Sequence, residues 1–423
     1  MNTGALSLFA LACKSAWSRR FGLTIVALSV ALSTFLLLGL ERLRQDVRQQ
    51  FSQSVSGTDL IVGARTGSVQ LLLYSVFRIG NATQNIRWSS AQAIASDPSV
   101  AWTIPISLGD SHRGFPVVGT TQAYFAHFRY GERQGLVLDQ GRAFTGVFDT
   151  VLGAEVAERL GYRLGQRITL SHGSGEFSAN EHDDKPFEVV GILARTGTPV
   201  DRSVHIGLDG MEAIHLDWVA GARISGLSVT AGQALQQDLT PRSVTALLVG
   251  LKSRAAVFGL QRSVGQYASE PLMAVLPGVA LDELWQAVGL SERVLMLMSA
   301  LVAAVSLTGL VAVVITGLEQ RRRELAVLRA VGASPQRVFA LLVLEGGLLT
   351  SIGAFLGILL WILVIVVLGP WLQWAFGLEL RLSWGWPETA LAGAIFCAGC
   401  LASVLPGWRA YRLSLLDGLQ PPT

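Results

Sequence analysis

The sequence predicts an integral membrane α-helical protein with four transmembrane helices and a large extracytoplasmic α+β domain between helices 1 and 2. Three observations predict this. Hydrophobic residues fill 51% of the 423 positions and charged residues only 15%, against about 25% charge in an average soluble domain. The apolar excess sits at 21–40 and 294–405, while the middle of the chain has the composition of a soluble domain. Short basic segments fall on one side of a four-span count: Lys14 with Arg19 and Arg20, then 319–337, then Arg409 with Arg412. That asymmetry marks cytoplasmic loops, with both termini inside.

Residues 1–20 read as a cytoplasmic, interfacial amphipathic helix. The uncharged run 21–40 is the first span, since at ~1.5 Å per residue it covers ~30 Å, one hydrocarbon thickness. A cleaved signal peptide is the rival reading. Its apolar core is shorter, about 7–15 residues, and is followed by a small-residue cleavage site. No convincing site follows here, so an uncleaved span is expected. Residues 41–290 then form the outer domain, entered through a charged stalk at 41–51 and left through an amphipathic one at 282–293. Strand-like runs include 59–62, 115–119, 167–170, 187–193, 203–206 and 244–251. Helix-like runs include 121–127, 151–160, 210–215 and 253–267. Mixed elements with Gly-rich turns give the α+β class, and the polar stretch 173–184 reads as a hairpin loop.

The second span covers 291–318 and a charged helix 319–337 follows it. The third span is 338–369, an outer loop 370–388 carries four of the tryptophans, the fourth span is 389–405, and 406–423 is a cytoplasmic tail. Five arginines against two glutamates at 319–337 carry the inside signature. The loop tryptophans Trp371, Trp374, Trp384 and Trp386 suit the headgroup level. Gly346-Gly347 and Gly353-x-x-x-Gly357 permit close helix approach. Glu345 lies about two turns into the third span, where a carboxylate costs a few kcal/mol unless paired or protonated. A structural ion pair, with a partner such as Arg337 or Arg409, is the plainer reading beside a proton relay.

Net charge is only +3, which gives no electrostatic footprint for nucleic acid. No G-x-x-x-x-G-K-[ST] cradle occurs, nor H-E-x-x-H, nor G-x-S-x-G. No catalytic residue is therefore assigned and the chain is expected to be non-enzymatic. Cys397 and Cys400 form a C-x-x-C inside an apolar helix, where packing is the simpler role. His172 with His182, Asp183 and Asp184 supplies nitrogen and oxygen donors in one polar loop. Their spacing matches no strong metal pattern, so a solvated loop is expected and these four remain weak metal candidates. The charged helix is the more telling motif. Arg322, Arg323 and Arg329 give it a charged face, and Leu325, Val327, Leu328 and Val331 an apolar one. Gly332 stops it, and Ser334 with Pro335 is suited to start the next helix.

The run Glu319-Gln-Arg-Arg-Arg-Glu324-Leu-Ala-Val-Leu-Arg329-Ala-Val-Gly332-Ala-Ser-Pro335 and the close Pro406-Gly-Trp-Arg409-Ala-Tyr-Arg412 resemble the FtsX-like permease domain of ABC transporters, over 290–418. In the outer domain, 57–64, 117–121, 151–165 and 187–193 resemble the MacB-type periplasmic core. The resemblance, shared with LolC and LolE, implies a type VII mechanotransmission permease of the bacterial inner membrane. It implies that ATP and Mg are bound by a partner ATPase, with no cofactor in this chain. The implied ATPase contact is Arg322, Arg323, Glu324, Leu325, Leu328, Arg329, Gly332, Ala333, Ser334 and Pro335. Implied partners are ABC ATPase subunits, a second permease copy or related permease, membrane lipids, and a periplasmic binding protein or lipoprotein. The work done would be export, extraction or transenvelope movement of a lipoprotein, peptide or drug. An FtsX-like signalling scaffold that activates a periplasmic partner is the alternative, and a metal-binding sensor built on His172 and His182 a third reading.

Overall fold

The computed structural model describes residues 20–54, 56–172, 182–219, 222–223, 229–320, 334–376, 380 and 382–412. The chain divides into two compact units, Met1–Val47 with Gly289–Thr423, and Arg48–Val288.

Among the described residues, the first unit holds four helices long and apolar enough to cross a membrane. Helix Arg20–Gln53 runs on past the apolar stretch into charged sequence. Helix Pro277–Gln320 has 44 residues, ~66 Å at 1.5 Å each. That is far longer than one span, so the approach at 282–293 and the span at 291–318 belong to one continuous helix. Leu295, Leu297, Met298, Leu301 and Val305 along it are all exposed. A helix apolar on all sides belongs in lipid or in a larger membrane assembly. Helices Pro335–Phe376 and Trp386–Arg412 complete the unit.

Both of these helices carry an internal proline, Pro370 and Pro406. The expected third and fourth spans, 338–369 and 389–405, end just before those prolines. Each instead continues for one or two turns, which shortens the expected loop 370–388. Proline removes one ladder hydrogen bond, and membrane helices tolerate this because neighbouring groups satisfy the freed carbonyl.

Among the described residues the second unit contains two larger sheets and three two-stranded ones. The first is antiparallel, in the order Leu272–Val275, Leu60–Ala64, Ala246–Leu251, Val100–Ile106. Side chains alternate faces along a strand, and here both faces are covered. Ile61, Ala246, Leu248 and Val275 enter one core cluster. Leu60, Val62, Leu247, Val249 and Ala274 enter another, beneath helices Trp88–Ala95 and Val257–Gly265. Double burial explains why Leu60–Ala64 reads as a continuous apolar run. Val100–Ile106 lacks a readable pattern because Trp102, Thr103 and Pro105 interrupt it.

The second sheet is mixed. Its order is Arg167–Ile168, Phe187–Leu193, Asp149–Leu152, Val204–Gly207, Phe115–Thr120, Asp110–His112, Ser171–His172, with Leu138–Gly141 also on Phe187–Leu193. Phe187–Leu193 runs parallel to Asp149–Leu152, joined through helix Ala154–Leu160. Gly161 ends that helix in the left-handed region at φ 69°, the usual glycine stop. Strands Arg167–Ile168 and Phe187–Leu193 pair antiparallel, with Arg167 opposite Glu188 and Ile168 opposite Phe187, while residues 173–181 of the hairpin loop read at 173–184 lie outside the described residues. The chain then departs from the hairpin. Ser171–His172 crosses to the far edge and pairs with Asp110 and Ser111. That crossing brings distant polar residues together.

Candidate functional site

The helical unit is held by small residues. A Cβ at Gly353 would lie 2.7 Å from Val30 Cβ and 2.9 Å from the Ala27 carbonyl oxygen, and one at Gly357 would lie 2.5 Å from the Ala31 carbonyl oxygen. These distances are too short for any side chain, so the two glycines set the spacing between Arg20–Gln53 and Pro335–Phe376. Gly346 meets Ser403, Gly347 meets Cys400 and Gly399 meets Thr350, so small residues also line the contact with Trp386–Arg412. Ser33 and Ser306 hydroxyls share a hydrogen bond of 2.7 Å, and Ser306 Oγ donates to the Ser29 carbonyl at 3.2 Å. Such polar contacts tie apolar helices together where the hydrophobic effect cannot.

Of the coupling residues, Arg322, Arg323, Glu324, Leu325, Leu328, Arg329, Gly332 and Ala333 lie outside the described residues. Ser334 and Pro335 are described. The helix begins at Pro335, and the Ser334 carbonyl accepts from Arg337 N–H at 3.0 Å and Val338 N–H at 3.3 Å. Glu345 is buried within this helix at 7% exposure.

A charge cluster that the sequence reading did not single out lies where Arg20–Gln53 leaves its apolar run. Arg42 pairs with Asp46 at 2.8 Å and faces Glu388 at 3.6 Å, with the Glu388 side chain 1% exposed. Glu41 accepts from Arg44 at 2.8 Å and from Gln45 at 2.7 Å. Glu388 Oε2 also accepts the Gly385 N–H at 2.9 Å, in the first turn of its helix, where an anion is favoured. The i, i+4 spacing of Arg42 and Asp46 was a readable signal. Glu388 was not, because it belongs to another helix.

In the second unit the histidines separate by environment. His112 Nδ1 lies 2.6 Å from the Thr169 carbonyl oxygen and Nε2 lies 2.9 Å from Tyr162 Oη. Burial holds its pKa below the usual imidazole value. His205 is fully buried between strands, and burial with the nearby Arg78 charge pushes it down to about 3. His182 is also fully buried, not solvated as expected of a loop residue. Its backbone N–H donates to Leu170, and its ring packs on Trp218 at 4.6 Å and on His215 at 5.7 Å. His215 ends helix Leu208–His215, with Nδ1 2.6 Å from the Met211 carbonyl oxygen and Nε2 3.5 Å from Asp110 Oδ2. Burial opposes the charged form of His215, but the Asp110 carboxylate, the Met211 carbonyl and the Glu212 charge together outweigh it, and the pKa is raised.

The result is a cluster of Asp110, His182 and His215 whose donor atoms all lie within 4.8 Å of one another. This corrects the loop grouping. Of His182, Asp183 and Asp184, only His182 enters the cluster among the described residues, and the His172 side chain lies outside them. Asp183 is exposed, and Asp184 pairs with Lys185 at 3.2 Å. His172 is the register partner of Asp110 in the edge pairing. Lys185 itself is buried against Asp217 at 2.6 Å, and this pair anchors the turn that carries His182. Asp110 and His215 had no sequence signal, because sheet register and a helix end unite them with His182.

Four apolar helices, with an α+β domain in the chain between the first and second, define a multi-pass membrane protein with a large extramembrane domain. The FtsX-like permease C-terminal family matches residues 296–415, and the MacB-like periplasmic core domain family matches residues 23–267. The lipoprotein-releasing system transmembrane protein LolC of Neisseria meningitidis serogroup B is 26% identical over 238 residues, covering 55% of this chain and 49% of the relative. The match thus spans about half the length of that relative. The periplasmic region of MacB from Actinobacillus actinomycetemcomitans aligns at 14% identity and TM-score 0.33, over 56% of this chain and 94% of that one. The extracellular domain of the noncanonic ABC-type transporter YknZ from Gram-positive bacteria aligns at 12% identity and TM-score 0.30, over 52% and 98%. The chain belongs to the FtsX/MacB/LolC-type family of ABC transporter permeases.

Proposed function

We propose that this chain is the transmembrane subunit of an ABC transporter in which a separate ATPase drives motion of the periplasmic domain. The observation that carries the reading is the position of the two unit boundaries. Val47/Arg48 falls inside helix Arg20–Gln53, and Val288/Gly289 falls inside helix Pro277–Gln320. Both chain connections between the units are therefore unbroken helix. A helix carries displacement along its axis, whereas a flexible loop would absorb it. The charged segment 319–337, with Arg322, Arg323 and Arg329, directly follows the second of these helices and is the contact for the ATPase. Both termini are cytoplasmic, the segment 41–290 is periplasmic, and a second permease chain matches the second ATPase. ATP and Mg stay with the ATPase, and this chain makes no catalytic contribution. The cargo is a lipoprotein, a peptide or a drug-like amphiphile, handed on through the periplasmic domain, and lipids surround the helices.

The test reconstitutes the full chain with its ATPase subunits in nanodiscs and reads nucleotide-dependent energy transfer between labels on two periplasmic domains. Val288→Pro should leave assembly and ATP hydrolysis in place and remove the nucleotide-dependent change. Arg329→Glu should lose stimulation of the ATPase as well. Unchanged energy transfer and cargo release in both variants would overturn the reading. Unaltered cargo movement with loss of a periplasmic enzyme's activation would favour the FtsX-like scaffold.

A further inference from the structure

We propose that Asp110, His182 and His215 form a binding site for a borderline divalent transition-metal ion of the Zn2+ class in the periplasmic domain. Two imidazoles and one carboxylate are a donor set that such ions prefer, and three protein ligands leave a tetrahedral ion one position for water or another donor. Mg2+ and Ca2+ favour all-oxygen sets.

The geometry is close to what binding needs. Zn–N and Zn–O bonds of ~2.0–2.1 Å in a tetrahedron place donor atoms about 3.3 Å apart. His215 Nε2 and Asp110 Oδ2 already stand at 3.5 Å, and all three donors lie within 4.8 Å. Rotation of the His182 ring and a small shift of its turn close the remainder. The tautomer of His215 is set from behind. Its Nδ1 must donate to the Met211 carbonyl at 2.6 Å, which directs Nε2 toward the Asp110 carboxylate. A lone pair facing a carboxylate at that distance is repulsive unless a cation lies between them. The cation is either a proton, which gives an imidazolium–carboxylate pair, or a metal. A backbone carbonyl behind a histidine ligand is the usual outer-shell arrangement at metal centres. His182 and Asp110 are almost wholly shielded from water, and the Lys185–Asp217 pair holds the His182 turn in place. The site would clasp strand Asp110–His112, the turn at His182 and the end of helix Leu208–His215, so metal would alter how firmly that side of the sheet is held.

The test uses the full chain in detergent, stripped with a chelator and titrated near neutral pH with Zn2+ and separately with Co2+. One equivalent should bind. Co2+ should give the visible bands of a four-coordinate nitrogen and oxygen site, without a thiolate charge-transfer band. The His182→Ala/His215→Ala double variant should lose that equivalent, and Asp110→Asn should weaken it by about tenfold or more. His127→Ala, whose ring stacks on Trp102, should bind as the parent does. If the double variant does not fold, the isosteric Asp110→Asn and the Co2+ spectrum of the unaltered chain decide. Three results would overturn the site: no stoichiometric binding, which leaves a protonated ion pair only; binding unchanged in Asp110→Asn and the histidine variant; or loss of the metal in Cys397→Ser/Cys400→Ser instead.

Discussion

Gly357→Ala is the most direct perturbation of the helical unit. Its Cβ would lie 2.5 Å from the Ala31 carbonyl oxygen, and ordinary contacts begin at 3.4 Å. Neither side of that contact is a flexible side-chain end, so the two helices must part by roughly 1 Å. A gap of that size forfeits a quarter to a half of each dispersion contact along the seam. Overpacking of this kind costs about 1–3 kcal/mol. Against it stands the better helix propensity of alanine, worth about 0.8–1.0 kcal/mol in soluble helices. Gly309 supplies the control, because a Cβ there meets nothing within 4 Å. Gly309→Ala should therefore be neutral or stabilising by up to about 1 kcal/mol, while Gly357→Ala is destabilising. Gly357→Val should be worse again, because its branches enlarge the same clash. The assay is equilibrium unfolding of the purified chain in mixed detergent micelles. Adding Gly353→Ala to Gly357→Ala should cost less than the sum of the two, since the first substitution already separates the helices. If Gly357→Ala and Gly309→Ala shift stability in the same direction by the same amount, the close approach does not exist.

Replacing Lys185 by Met should cost about 3–5 kcal/mol by removing the cation from the buried Asp217 carboxylate, and Lys185→Met/Asp217→Leu should recover most of it in chemical denaturation. Glu388→Gln should cost less than that range, because Arg42 keeps Asp46 at 2.8 Å. Its effect should appear in micelle unfolding and should vanish in an Arg42→Met background. His205 gives the periplasmic domain an acid-sensitive element. Its folded pKa of about 3 lies below the unfolded imidazole value near 6.5, so the unfolded chain takes up a proton first. Stability from this group is complete above pH ~6.5 and falls by about 1.4 kcal/mol per unit as pH drops toward 3. His205→Gln should flatten that slope in thermal melts. His215 has the opposite sign. Its raised pKa, set against Asp110 with Glu212 and His182 also facing it, gives stability that is full below ~6.5 and is lost as pH rises through the folded value. His215→Gln should remove that loss in chelator-stripped protein.

What the sequence made legible follows from what each feature depends on. The apolar helices are a matter of length and composition within one segment, so 21–40 is readable without any partner. The glycines at 353 and 357 were readable for the same reason, since their spacing lies within one helix. The helix ends were not, because prolines at 370 and 406 are tolerated only through neighbours that the local sequence does not name. Strand Leu60–Ala64 was visible because both of its faces are buried. Asp149–Leu152 was absorbed into the helix that follows it, since Val151 and Leu152 continue an apolar pattern that only Gly153 interrupts.

The polar cluster marks the limit of such reading. His172, His182, Asp183 and Asp184 are neighbours in sequence, and proximity alone groups them. The fold applies a different criterion. Ser171–His172 leaves its hairpin to pair with Asp110 and Ser111, and the His182 amide is bound to Leu170. Helix Leu208–His215 follows Val204–Gly207, which lies beside Phe115–Thr120 in the sheet, and ends with its last imidazole against Asp110. Each of these placements is set by hydrogen bonds between segments far apart in the chain, and none has a local pattern. A donor set assembled this way depends on the fold itself. Whatever cation sits between Asp110 and the two imidazoles reports whether strand Asp110–His112, the turn and the helix end are in place together. If the periplasmic domain moves in the transport cycle, this three-way junction is a point where motion and cation binding are thermodynamically linked, because each can shift the other only by the difference in affinity between the two arrangements.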